Sequence, residues 1–148
     1  MNRLVVVLTV VFITIVTSEN SSSEEEKGEN KFIELIECKN ETGASDIDMG
    51  RVIIRANPIT QAGKCLTACY LDKLGIMTQE KFVPENVMNY LDDVTLVGSN
   101  GKTLDKVVKE IADECKAISD TDKCESAAKI LNCLNASAKK RGFCPNVF

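Results

Sequence analysis

Two cysteines bracket a stretch with no Gly or Pro, CESAAKILNC, whose Ala and Leu spacing reads as uninterrupted helix from Cys124 to Cys133. At about 100° per residue, the nine-residue step between them turns through about two and a half turns, so the two sulfurs leave the helix on opposite sides. They cannot bond each other, and each must find a different neighbour. Cys65 and Cys69 lie one turn apart in a second helical stretch. Their side chains lean parallel rather than converge, so they too need two different partners.

Seven cysteines occur in all: Cys38, Cys65, Cys69, Cys115, Cys124, Cys133 and Cys144. Whether they are staples depends on the compartment, and the N-terminus supplies that. MNRLVVVLTVVFITIVTSEN has one basic residue, Arg3, then an apolar run from Leu4 to Val16, then small and polar residues. The run is short for a bilayer core of about 30 Å and has the three-part form of a secretory signal, with cleavage expected near Ser18. In a secreted chain this cysteine count favours disulfides over metal-binding or redox thiols, and no Cys-x-x-Cys pair is present. Three N-glycosylation sequons, at Asn20, Asn40 and Asn135, become relevant in the same compartment.

Loss of residues 1–18 shifts the formal net charge from −4 to −5 and leaves 130 residues. That length suits one domain with a real core. The mildly acidic balance argues against nucleic acid or an anionic membrane as the main partner. Histidine is absent altogether. Its absence removes Ser–His and Cys–His nucleophilic machinery and every His-bearing metal site, and no motif for a carboxylate-based enzyme is present, so the reading is of a non-enzyme without cofactor or metal. A switch driven by His protonation near pH 6 is excluded as well; acid-triggered release would have to run through carboxylates such as Asp92, Asp93 or Glu110.

Residues 19–30 are polar, acidic and low in complexity, and are expected to be a disordered lead-in to a single domain over 31–148. From Lys31 onward, helical periodicity recurs without a convincing strand alternation. Helices are expected at about Asn30–Asn40, where Phe32, Ile33, Leu35 and Ile36 supply an apolar stripe, and from a Ser45 cap to Ile53. A third is expected at about Gln61–Leu74, ended by Gly75, and a fourth at about Pro84–Leu91. The fifth, Thr103–Ile118, carries the clearest stripe, and the sixth spans Lys123–Lys139. VGSNGK reads as a turn. The segment 142–148 carries Phe143, Val147 and Phe148, unusual apolarity for a terminus, and is expected to dock over or into an apolar site.

The cysteine spacing, with 26, 3, 45, 8 and 8 residues between Cys38, Cys65, Cys69, Cys115, Cys124 and Cys133, resembles the six-cysteine pattern of insect odorant-binding proteins. The gap of three and the final gap of eight are its specific part, and the pheromone- and general-odorant-binding family shows both. KCLTACYLDKLGIM looks like that family's third helix and DKCESAAKILNCL like its sixth. The resemblance spans about residues 30–140. It implies an all-α bundle of about six helices around an apolar cavity, with bridges Cys38–Cys69, Cys65–Cys124 and Cys115–Cys133. Cys144 lies outside the pattern and is expected to be unpaired in the chain, which leaves monomer and homodimer both open. The gap of 45 is somewhat long for the family, and the extra residues fall near Gly98–Gly101.

The same resemblance implies a secreted carrier of small hydrophobic molecules, with a membrane chemoreceptor as a further possible partner. Expected pocket residues are Leu66, Leu74, Met88, Leu91, Val108, Ile111, Ala112, Ala128, Leu131 and Phe148, though for each of these plain core packing is the competing role. Tyr70 and Tyr90 are the hydroxyls available to orient a polar ligand end. The competing class is a secreted bundle with a filled interior that acts by surface contact with a receptor.

Overall fold

The computed structural model describes residues 22–88 and 104–142. Among them are five α-helices: α1 (Ser22–Thr42), α2 (Asp46–Ile53), α3 (Gln61–Lys73), α4 (Leu104–Cys115) and α5 (Lys123–Lys140). After α3 the chain forms a two-strand antiparallel hairpin, β1 (Met77–Thr78) and β2 (Lys81–Phe82), and then a 3-10 turn at Pro84–Asn86. Val87 and Met88 continue helically from that turn, and the rest of the expected fourth helix, with the VGSNGK turn, lies outside the described residues.

Capping explains where the helices start. Ser45 accepts from the Asp48 amide while the Asp48 carboxylate accepts from the Ser45 amide, a reciprocal box that opens α2. Thr60 caps α3 through the Gly63 amide, and Asp122 caps α5 through the Glu125 amide. α3 ends as the sequence predicts. Gly75 takes a φ of 70°, its amide donates to Asp72 O, and the Ile76 amide reaches back to Leu71 O at 2.8 Å. That return brings the buried Ile76 and Leu71 together at the helix end.

α1 begins at Ser22, earlier than the expected Asn30, so the acidic stretch expected to be a disordered lead-in is helical from Ser22 onward. Glutamate has good helix propensity and interacts favourably with a helix N-terminus, which is the physical reason the run is able to extend the helix. The expected apolar stripe of α1 also needs correction. Leu35 and Cys38 are buried against α2 and α3, whereas Phe32, Ile33 and Ile36 face outward. Position alone cannot say which arc of a helix meets its neighbour; the bridge at Cys38 does.

Two apolar clusters result. The smaller joins α1, α2 and α3 through Leu35, Cys38, Ala44, Val52 and Leu66. The larger runs from Ala68 and Leu71 of α3 through the hairpin residues Met77 and Phe82 to α4 and α5. Tyr70 packs against both, at the seam.

The disulfides connect the helices in series, with the pairing that the family resemblance implies. Cys38–Cys69 joins α1 to α3, Cys65–Cys124 joins α3 to α5, and Cys115–Cys133 joins α5 to α4, with Cα separations of 5.6, 4.4 and 5.9 Å. Cys124 and Cys133 thus leave α5 toward different helices, as their opposite phases require. Cys144 lies outside the described residues.

At the junction of α2 and α3, backbone meets side chain closely. A Cβ on Gly63 would come within 2.7 Å of Asp48 Oδ1 and 3.0 Å of Thr60 Oγ1. Gly63→Ala is therefore expected to lower stability by about 1–3 kcal/mol, as other overpacked sites do. Guanidinium unfolding checks this, and an unchanged midpoint would show that the Asp48–Thr60 contact yields at no cost.

Candidate functional site

The site is positioned from the end of α3. After Gly75 turns the chain, Met77 pairs with Phe82 across the hairpin, and the Val83 amide closes onto Ile76 O at 2.8 Å. The Asn86 side chain then donates to Gly75 O at 2.8 Å and clasps the 3-10 turn to the α3 terminus. Pro84 supplies a preset φ at the first position of that turn. Met88 comes directly after and is brought to α4.

α4 supplies the opposite wall. Val107, Val108, Ile111, Ala112 and Cys115 form a buried stripe at helical spacing. Between Pro84–Met88 and α4 lies a cavity of about 290 Å³, lined by Pro84, Glu85, Met88, Val108, Lys109, Ala112 and Asp113. Val108 and Ala112 are buried, whereas Glu85, Lys109 and Asp113 are exposed. The slot therefore has an apolar floor and a charged mouth. Its volume is close to the lower end of the range for small-molecule sites, about 300–1,000 Å³.

Of the residues expected to line a pocket, Met88, Val108 and Ala112 border this slot. Ile111 and Leu131 lie in the larger apolar cluster behind it, and Leu74 packs on that cluster. Leu66 does not join them. It is fully buried on the other side of α3, in the α1–α2 cluster, because successive apolar residues of α3 serve two cores. Ala128 is half-buried and in neither cluster; Ala127 is the inward residue, with Ile130, Leu131 and Leu134. Ala128 sits one turn from Cys124, on the flank that the bridge to α3 directs away from α4. Leu91, Tyr90 and Phe148 lie outside the described residues. Pro84 was missed by sequence reasoning, although its place at a helix start directly after Val83 was the available signal.

The sequence over residues 21–137 matches the PBP/GOBP family. The chain belongs to that family. General odorant-binding protein 28a of Drosophila melanogaster is 31% identical over 121 residues, covering 80% of this chain and 83% of the relative. The solved structure of that Drosophila odorant-binding protein superposes with a TM-score of 0.69, covering 82% of this chain and 99% of the other. A fatty acid binding protein from the oral disk of the blowfly Phormia regina shares the fold at 22% identity and a TM-score of 0.59, over 82% of this chain and 97% of that one. So does odorant-binding protein 7 from Anopheles gambiae in complex with an azo compound, at 24% identity and a TM-score of 0.55, over 84% and 95% of the two chains.

In this PBP/GOBP protein three carboxylates are held below their ordinary range by hydrogen bonds. Asp48, only 4% exposed, accepts from Thr60 Oγ1 at 2.7 Å and from the Ser45 hydroxyl and amide. The Thr60 hydrogen bond, followed by that from Ser45, holds its carboxyl below the ordinary range. Glu114 is lowered by the Ser137 hydroxyl and then by Arg141, which bonds it at 2.7 Å from the end of α5. Asp120 is held at about 2 by the Lys129 ammonium and the Asp122 amide. Glu110, one of the carboxylates considered for acid release, lies 3.7 Å from Arg141 Nε; Asp92 and Asp93 lie outside the described residues.

A carboxyl depressed on folding stabilises the fold above its unfolded pKa and loses that effect as pH falls through the folded value. Asp48, Glu114 and Asp120 share this sign. Lys73 and Lys129 are raised by Glu37 and Asp120 respectively, so their contribution is complete below the ordinary lysine pKa and is lost only above it. With no histidine in the chain, the melting temperature is expected to be nearly flat from about pH 5.5 to 8.5 and to fall below about pH 4. Calorimetry across that range checks it, and a step near pH 6 would contradict it.

Among the described residues no helix is long and apolar enough to cross a membrane, and no group of three or more His, Cys, Asp or Glu is placed to hold a metal ion.

Proposed function

We propose that the protein is a secreted carrier that takes small hydrophobic molecules into the slot between Pro84–Met88 and α4. Residues 1–18 are the leader and 19–148 the working chain. Met88, Val108 and Ala112 contact the ligand, with Ile111, Leu131 and Leu74 forming the apolar ground behind them. In this reading Leu91 and Phe148, which lie outside the described residues, are further ligand contacts. The ligand leaves water for an apolar floor, which recovers about 25 cal/mol for each Å² of apolar surface buried.

The observation that carries this reading is the cavity itself, a slot of about 290 Å³ with an apolar floor in a chain of a family whose Drosophila member is named a general odorant-binding protein. A cavity costs stability roughly in proportion to its volume, and three cross-links offset such a cost. A membrane chemoreceptor is the natural recipient of the cargo.

The test is displacement of an apolar fluorescent probe from refolded, disulfide-intact residues 19–148, with volatile and fatty-acid-like competitors. Saturable one-to-one uptake that competitors reverse at micromolar concentration is expected. No uptake by a protein with all three bridges formed would sink the carrier reading and leave surface binding to a receptor in its place.

A further inference from the structure

Three sequons stand in the sequence, and the carrier reading uses none of them. The structure separates two sharply. Asn135 is half-buried on α5, and its side-chain amide donates twice, to Arg55 O at 2.9 Å and to Asn57 Oδ1 at 2.8 Å. Both hydrogens of Nδ2 are therefore engaged in holding α5 to the segment between α2 and α3. The sequon's hydroxyl is engaged too: Ser137 is 3% exposed and donates to Glu114 at 2.7 Å. A sugar on Asn135 would replace one of those hydrogens and force a bulky polar group between packed elements.

Asn40 differs at the asparagine itself, although the hydroxyl of its sequon, Thr42 Oγ1, also donates, to Cys38 O at 2.7 Å. Asn40 is exposed, in the last turns of α1. It lies four residues after Ile36 and seven after Ile33, so it continues the face that carries Phe32, Ile33 and Ile36, which are 49, 47 and 38% exposed. A glycan at Asn40 displaces nothing and stands beside the apolar stripe that α1 leaves uncovered.

We propose that Asn40 is an N-glycan acceptor of the secreted protein and that Asn135 is not, its amide being spent as an interhelical clasp. The transfer forms a bond from Asn40 Nδ2 to C1 of the first sugar of an oligosaccharide carried on a lipid diphosphate. It breaks the bond from C1 to the diphosphate oxygen, and the amide proton goes to the departing lipid diphosphate. The proposal rests on the reading that the chain enters the secretory pathway, since the donor is available there.

The experiment expresses full-length residues 1–148 in secreting insect cells and collects protein from the medium. It is then treated with the amidase that removes N-glycans and leaves Asp in place of the glycosylated Asn, in heavy-oxygen water. Peptide masses are expected to show labelled Asp at position 40 and unchanged Asn at 135. Asn40→Gln is expected to be secreted with the same melting temperature after deglycosylation and without the glycan at this site, whereas Asn135→Ala is expected to melt several degrees lower. Secreted protein bare at Asn40, or labelled at Asn135, overturns the proposal alone. Protein retained in the cytosol with residues 1–18 attached overturns the secretion reading and the proposal with it.

Discussion

Removing the Cys65–Cys124 bridge by Cys65→Ala with Cys124→Ala is expected to cost about 4 kcal/mol, the value that loop-closure entropy assigns to a closed loop of this length. The bridge spans 59 residues, against 31 for Cys38–Cys69 and 18 for Cys115–Cys133. It also ties α3, on which α1 and α2 pack, to α5 in the half that contains the slot. Both sulfurs belong to half-buried residues, so the double variant leaves little void and reports mainly on the cross-link. For a chain of this size the loss corresponds to a fall in melting temperature of about 15 °C. Calorimetry on the variant with the other two bridges intact measures it. A fall of only a few degrees would mean that the packing of α3 on α5 already restrains the unfolded chain, or that the bridge is strained.

The second large effect concerns the slot. Ala112→Trp puts an indole where a buried methyl now forms the floor. Even about 100 Å² of ligand surface left in water costs about 2.5 kcal/mol at ~25 cal/mol per Å², so affinity for the fluorescent probe should fall by close to a hundredfold. Leu66→Ala is the contrast. It removes a fully buried side chain from the α1–α2–α3 cluster, so it should destabilise by about 2–5 kcal/mol while leaving affinity within a fewfold of the parent. If Ala112→Trp retained its helical spectrum and bound the probe unchanged, the ligand would have to reside elsewhere. If Leu66→Ala abolished binding while remaining folded, the division into a supporting cluster and a binding cluster would be wrong.

Helices α1 and α5 show where sequence patterning stops. On α1, four apolar residues look equivalent, but only Leu35 is buried, since Cys38 fixes which arc meets α3. On α5, Ala127 and Ala128 are indistinguishable by type, and their burial differs because one lies on the stripe toward α4 and the other on the flank toward the α3 bridge. The stripe of α4 was legible from Val107 to Cys115, although the helix ends at Cys115 and not at the expected Ile118. That stripe is wide and the polar face strongly charged, so one orientation alone buries it well.

What the amino-acid sequence determined by itself is local or covalent in origin: helix starts at Ser45 and Thr60, the stop at Gly75, the absence of histidine chemistry, and a cysteine spacing particular enough to imply the pairing. Each of these depends on residues near one another in the chain or on a motif complete in one dimension. Only the tertiary structure decided that Leu66 and Leu71, five residues apart on one helix, serve different cores, that Pro84 borders the slot, and that Asn135 is consumed by Arg55 and Asn57. These depend on how helices rotate about their own axes when they pack, and that rotation is set by contacts between residues distant in sequence, which periodicity leaves free.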